Sequence, residues 1–388
     1  MSLLRSERFS AFLLVAAAAV GLLLANTAAA PVAKAIEAFH LGIPAIGIDL
    51  SVGQWVKDGL LAIFFFIAAI ELRHELRHGE LDSPRKALVP TVAAVGGVVV
   101  PALLYLLVVR DPELNQGWPI PTATDIAFAL GVLAIVGKGL PPTFRALLLA
   151  IAVIDDLIAI LIIAAFFTTD LAPMPLLLAL PTVLLFGWLS YRVTKRRRAW
   201  VIPLMILLGI TTWVLVLLSG IHPTIAGVAL GLIMADASAR HTRHAIEPWS
   251  NVIILPLFAM VAALVPVPST SLAQLSSAFW GVLVALPIGK LIGITAGATL
   301  AMALARRSSA PRLPLADIVA VAGLGGIGFT VSLLMNELAF DGQESIADEV
   351  TLAVLVASVL AAVIGAVLTA LRSRHYASVS AESADAGT

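Results

Sequence analysis

Two adjacent aspartates stand inside a wholly apolar stretch, Ala150-Ile151-Ala152-Val153-Ile154-Asp155-Asp156-Leu157-Ile158-Ala159-Ile160. Lys290 interrupts a second, Leu286-Pro287-Ile288-Gly289-Lys290-Leu291-Ile292-Gly293. Asp125 follows Pro121-Thr122-Ala123-Thr124 in a third. Ionisable groups within apolar spans are expensive and default to functional candidates, as in ion pathways and proton relays. The bland alternatives are a structural carboxylate pair satisfied by neighbouring helices and a lysine that snorkels to an interface. Arg145 marks one end of the segment that carries the aspartates. Ten residues at about 1.5 Å each put Asp155 roughly 15 Å in, near the middle of a bilayer. Successive residues on a helix point about 100° apart, so the two carboxylates face different partners. Lys290 is far from both ends of its segment and needs a counter-charge, which a mid-membrane aspartate supplies.

The elements that must position these groups are membrane helices. The chain has 388 residues, of which 60% are hydrophobic and 12% charged, with mean hydropathy +1.02. A soluble domain carries about 25% charge. A soluble enzyme, a nucleic-acid binder and a disordered chain are therefore excluded. Lys and Arg balance Asp and Glu, 24 each, and there is no cysteine. Thiolate metal sites and disulfides are excluded with it.

A spanning helix needs about 20 apolar residues. Twelve segments qualify by their apolar runs and polar punctuation, so the expected fold is an all-α membrane protein of about twelve helices. The first six are 10–29, 54–72, 87–109, 118–137, 144–167 and 174–191. The last six are 200–218, 221–235, 248–265, 277–305, 315–336 and 347–371. The first, led by Arg5 and Arg8, also resembles a signal peptide, but eleven further spans favour an uncleaved helix. Residues 1–371 read as one transporter domain, and the small polar tail 372–388 reads as disordered. Of the 24 Lys and Arg, twenty fall in loops on one side of this arrangement and two on the other, while Lys57 and Lys290 lie within spans. The excess places both termini in the cytoplasm.

Two segments are interrupted. Pro121, Thr122, Thr124 and Asp125 break the fourth. Gly323, Gly325, Gly326 and Gly328 break the eleventh, unless those glycines serve close helix packing. Broken helices in corresponding positions of two halves are the trace of inverted-topology repeats, here spans 3–5 and 10–12. Opposed half-helix ends leave partial charges facing each other. Asp125 suits the N-terminal ends, and the C-terminal ends want a cation.

Six ordered strings carry a resemblance. They are Ala123-Thr124-Asp125-Ile126-Ala127-Phe128-Ala129-Leu130-Gly131, Ile154-Asp155-Asp156-Leu157, Ser219-Gly220-Ile221-His222-Pro223-Thr224-Ile225-Ala226-Gly227, Ile254-Leu255-Pro256-Leu257-Phe258-Ala259, Gly289-Lys290 and Gly326-Ile327-Gly328-Phe329-Thr330. Together they resemble the NhaA-type sodium/proton antiporter family, itself a standard example of inverted-topology repeats. The resemblance implies a bacterial inner-membrane protein that exports Na⁺ or Li⁺ in exchange for more than one external proton. It implies that Asp156 binds Na⁺ and H⁺, and that Asp155 pairs with Lys290 beside that site. Asp125 with Thr124 would balance the crossed broken helices. It also implies a homodimer through an outer hairpin at Gly42–Leu50, and no cofactor beyond the transported ions. A hard cation prefers oxygen ligands. Na⁺ and H⁺ compete for one carboxylate, and competition couples their fluxes when the site faces one side at a time.

A second cluster is expected on the cytoplasmic side: Glu71, His74 and Glu75 on one segment, Arg243 and His244 on another loop. The family usually has Arg at the position of His74, Glu at that of Arg243, and Asn-Ala-Gly near Met260-Val261-Ala262-Ala263. These departures bear on pH control. A sodium-coupled symporter is the alternative in transport. An intramembrane aspartyl protease is the alternative in catalysis, but no Gly-Asp occurs in any span and Lys290 would have no role. The acidic rings of a cation channel are absent too.

Overall fold

Apolar runs of this length leave no water for backbone N–H and C=O groups, and a helix satisfies them locally. The computed structural model describes residues 6–43, 48–79, 81–168, 171–195, 201–268, 271–304 and 314–385. Helices occupy all twelve expected segments. Among the described residues, seven are long and apolar enough to cross a membrane, or nine if each of two bent pairs counts as one span. Val201–Leu217 and Thr224–Ile233 are apolar but shorter. Large apolar side chains such as Phe12, Leu107, Leu184, Ile206 and Val363 are exposed, which suits lipid and not water. The chain is a multi-pass membrane protein. Arg5, Arg196 to Arg198, Arg306, Arg307 and Arg312 of the charge count lie outside the described residues.

Contacts divide the chain into two compact units, a division not visible in a sequence read as one domain over 1–371. The first unit comprises residues 1–13, 78–159 and 265–388. Its helix Pro84–Val108 runs beside Ser277–Leu304 along a seam of small residues. Gly96 and Gly293 face each other's carbonyl oxygens so closely that a methyl on either would overlap backbone. That approach is the use membrane helices make of glycine. Within Ser277–Leu304, residues Ala285–Gly289 form a π-helical segment that ends at Lys290. Pro287 lacks the N–H that a regular turn requires, and such bulges gather at functional sites.

Both expected breaks are present in this unit. Pro112–Thr122 and Ile126–Val136 meet at 46°, and Leu315–Gly325 and Phe329–Ala339 meet at 50°. The first limb of the first pair is not α-helical, as a simple broken helix would have it. It is two 3-10 turns, Pro112–Gly117 and Ile120–Thr122. Pro112, Pro119 and Pro121 withhold donors from a regular ladder. The last helix, Glu344–Asp385, has 42 residues. The expectation of a disordered tail from residue 372 is therefore corrected over 372–385. No Gly or Pro occurs between Arg372 and Asp385 to stop the helix, and Arg372 is anchored by an ion pair to Asp317.

The second unit comprises residues 14–77 and 160–264. One apolar cluster joins Ile70, Phe186, Leu189, Met205, Leu230 and Met234. Another joins Ile48, Leu50, Ala62, Trp213 and Val216, with Trp55 stacked on Trp213 at 5.4 Å. The stretch before the ninth span is not a loop. Asp236–Ala262 is one helical run with a π-helical segment at Ser250–Ile254. Asp236 in its first turn suits the helix dipole, and Arg243 pairs with Glu247 at i, i+4. Ala30–Glu37 is a short helix, and strands His40–Ile43 and Ile48–Ser51 pair antiparallel. The turn of the expected hairpin, residues 44–47, lies outside the described residues.

Candidate functional site

The sequence sets up the site locally through Asp125. Its backbone is extended at the break, and its side chain accepts a hydrogen bond from Phe128 N at 2.9 Å, capping the helix that begins at Ile126. An aspartate in that position satisfies orphan donors and complements the positive helix end. The same carboxylate also serves the other bent pair. Its second oxygen accepts from Thr330 N at 3.1 Å and from Thr330 Oγ1 at 2.6 Å. The Asp125 N–H donates to Ile327 O at 2.6 Å. One carboxylate, 2% exposed, thus closes the N-terminal ends of the second limbs of both pairs. Ser332 Oγ donates to Ile120 O at 2.8 Å, and Phe128 meets Phe329 edge to face at 5.5 Å. These contacts hold the two breaks against each other.

Thr124, one residue earlier, links that crossing to the paired aspartates. Its hydroxyl lies 2.7 Å from Gly325 O, at the C-terminal end of Leu315–Gly325, and 2.6 Å from Asp155 Oδ2. Lys290 Nζ donates to the same Asp155 oxygen. Neither side chain of this ion pair has any exposure, 0% and 0%. Ionic groups in such a place need partners, because an uncompensated buried charge is severely destabilising. Asp155 Oδ1 has no hydrogen-bond partner among the described residues. Asp156, 5% exposed, is the next residue on Pro142–Phe166, and its charge also acts on Lys290. Asp125, Thr124, Asp155, Asp156 and Lys290 are therefore gathered in one unit from three parts of the sequence.

No group of three or more His, Cys, Asp or Glu gathers to hold a metal among the described residues. A monovalent cation as cargo needs less: one carboxylate with neutral oxygens of hydroxyls or carbonyls. The site can also move protons, because its two aspartates and its lysine are all titratable. It offers a cation and a proton the same carboxylate oxygens.

Glu71, His74, Glu75, Arg243 and His244 all lie in the second unit. Helix Leu61–His78 continues far enough to put Glu71, His74 and Glu75 on one face. Arg243 Nη2 donates to Glu71 Oε1 at 2.8 Å and Arg243 Nε to Glu247 Oε2 at 3.3 Å. Glu75 is buried, His74 is half-buried and His244 is exposed. The structure joins Glu71 to Arg243 and leaves His244 at the surface. Arg73 and Arg77 both pair with Asp236, at 3.1 Å each.

Sequence reasoning missed several partners. Thr330 and Ser332 are ordinary hydroxyls in a motif until the crossing brings them to Asp125 and Ile120. Asp317, 1% exposed, bonds Arg372 and Tyr376. Asp58 pairs with His222 at 3.3 Å. Both carboxylates fall inside expected spans, so the rule that singled out Asp125 would have found them.

Comparison with known proteins supplies the family. A family model described as Na⁺/H⁺ antiporter 1 matches residues 1–369. A Na⁺/H⁺ antiporter NhaA 2 of Clavibacter michiganensis is 55% identical over 378 residues, covering 96% of this chain and 92% of that protein. A Na⁺/H⁺ antiporter NhaA of Tropheryma whipplei is 44% identical, covering 95% of this chain and 94% of that protein. Another of that name, from Streptomyces avermitilis, is 44% identical, with 96% and 82% covered. The matches run through the bent pairs, the paired aspartates and the lysine, and they establish that this chain belongs to the Na⁺/H⁺ antiporter 1 family.

Proposed function

We infer that this antiporter exports cytoplasmic Na⁺ or Li⁺ electrogenically, with more than one proton entering per cation, at a site centred on Asp156. The observation that carries this reading is the dry constellation of Asp155, Asp156 and Lys290 beside two crossed, capped breaks. In one state Asp156 holds Na⁺ with neutral oxygens around it. In the other it holds a proton, and the two ligands exclude each other. Asp155 and Lys290 keep the neighbouring charge balanced through the cycle. Asp125 and Thr124 hold the half-helix ends that face the cargo. No resident cofactor enters the scheme, and no bond is made or broken beyond proton transfer, so the chain is a transporter and not an enzyme.

The finer topology is part of the same reading: twelve spans, spans 3–5 inverted with respect to 10–12, and both termini in the cytoplasm of a bacterial inner membrane. The Lys and Arg asymmetry supports the orientation. Two bends of similar angle, in the fourth and eleventh segments, support the repeat. The paired strands flanking residues 44–47 support a homodimer through Gly42–Leu50. Glu71, His74, Glu75, Arg243 and His244 are read as a cytoplasmic pH-responsive surface. Net charge movement lets the membrane potential drive export, at about 2.3 kcal/mol per charge for 100 mV.

The test is Na⁺-induced collapse of a proton gradient in everted vesicles, with the proton gradient and membrane potential followed separately. Exchange that accelerates with an imposed potential supports electrogenic transport. Exchange indifferent to potential, or one that survives Asp156→Asn, overturns it. Uptake of a labelled organic solute driven by Na⁺ would instead favour a symporter.

A further inference from the structure

The final helix continues past the apolar part of its sequence, and its extension is not merely appended. Among residues 371–379 only Arg372, Ser373 and Tyr376 are shielded from solvent, and the others are exposed. Each shielded residue reaches a bent pair of the same unit. Arg372 Nε donates to Asp317 Oδ1 at 2.6 Å, and Tyr376 Oη donates to Asp317 Oδ2 at 2.6 Å. The Arg372 guanidinium also lies over the Tyr376 ring, 5.1 Å from its centre. Both carboxylate oxygens of a buried aspartate are thereby taken. Ser373 Oγ donates to Lys138 O, two residues beyond the helix Ile126–Val136. The extension thus grips the entry of the second bent pair and the exit of the first.

Asp317 sits in the first turn of Leu315–Gly325. A limb of eight further residues is a stiff rod of about 12 Å. Its far end presents Gly325 O to Thr124, and just beyond it Ile327 O accepts from the Asp125 N–H. Lys138 likewise lies just past the end of the limb that Asp125 caps. A shift at the gripped ends therefore moves the groups that face the exchange centre, with no side chain of the extension touching the cargo. Arg372 and Tyr376, spaced i and i+4, share one helical face and one partner, while Ser373, about 100° around the helix, reaches the other bent pair.

We propose that Arg372, Ser373 and Tyr376 form a cytoplasmic strap of positioning residues that fixes the two bent pairs in register and so sets the Na⁺ affinity of exchange. The inference rests on the reading that exchange occurs at Asp156 between those pairs. A side chain that only glued the tail down would change stability or yield and leave the affinity of the folded protein alone.

The experiment uses the full chain in proteoliposomes, with apparent KM for Na⁺, maximal rate per folded protein and melting temperature measured together. Arg372→Gln raises KM about tenfold, an ordinary size for a residue coupled to a site through packing. Arg372→Lys recovers part of that, and Tyr376→Phe, which deletes one hydroxyl, raises KM about two- to threefold. Should Arg372→Gln fail to insert, Tyr376→Phe decides the matter. Wild-type KM in Tyr376→Phe and Arg372→Lys, with only yield or melting temperature altered, overturns the strap. Asp156→Asn is run in parallel. Its inactivity beside unchanged strap variants refutes the strap alone, whereas retained exchange in Asp156→Asn refutes the underlying site.

Discussion

An ion pair of the first unit and two of the second sit in opposite surroundings. In the first, Asp155 and Lys290 have side chains with no exposure and share one oxygen with Thr124. In the second, Arg243 and Glu71 remain 25% and 14% exposed, and Asp236, held by two arginines, is 37% exposed. The dry pair has no water to replace a lost partner, so removing either member leaves a buried charge. The wetter pairs are screened and lose little. The contrast separates a pair held with no exposure from pairs that keep some access to solvent.

The strongest test of the contrast is Asp156→Asn. It should abolish Na⁺/H⁺ exchange altogether while the protein still inserts and melts cooperatively, because the proposed exchange has one carboxylate as its shared ligand. Appreciable Na⁺-driven proton release by well-folded mutant protein would remove Asp156 from the centre of the site.

Next in size is Lys290→Met. It should cost about 3 kcal/mol of stability, with Asp155 accepting a proton to limit the loss. Adding Asp155→Asn should restore part of it, so that the double mutant falls short of the sum of the singles by more than about 1 kcal/mol. Thermal melts of the four proteins in detergent give the answer. Strict additivity would mean that the pair is not coupled.

Asp125→Ala should cost about 1–3 kcal/mol, because Phe128 N, Thr330 N and Thr330 Oγ1 lose one acceptor group together. Asp125→Asn keeps an oxygen for some of those donors and should cost less. Equal melting temperatures for the two variants would show that charge, and not acceptor count, dominates at the crossing.

The second unit should respond least. Arg243→Gln is expected to change stability by less than about 1 kcal/mol, and salt should shrink the effect further. His74 offers a functional counterpart. It shares a helix face with Glu71 and Glu75. The dependence of apparent Na⁺ affinity on pH should differ between wild type and both His74→Arg and His74→Gln. Three coincident profiles would retire His74 as a sensor. A large stability loss on Arg243→Gln would blur the division between the units.

Composition and spacing were enough to establish the class of molecule and the identity of its expensive residues. Twelve apolar runs of helical length, and charges placed where hydrocarbon should be, can be read without knowledge of any contact, because the bilayer imposes the same cost on every chain. The breaks at Asp125 and at the glycines Gly323 to Gly328 were legible for a related reason: proline, glycine and a capping side chain act on the nearest few residues. Which groups meet was decided in three dimensions. That Asp125 caps a limb 205 residues away through Thr330 depends on how two breaks cross. That Lys290 reaches Asp155, 135 residues earlier, depends on how their two helices pack, and a π-helical segment ends at the lysine. The helical tail and its grip on Asp317 were equally invisible, since a polar stretch rich in serine has little helical preference of its own and is ordered by what holds it. Local rules fix where a chain must bear a cost, but the partners that offset it stand from 31 to 205 residues away and are chosen by packing.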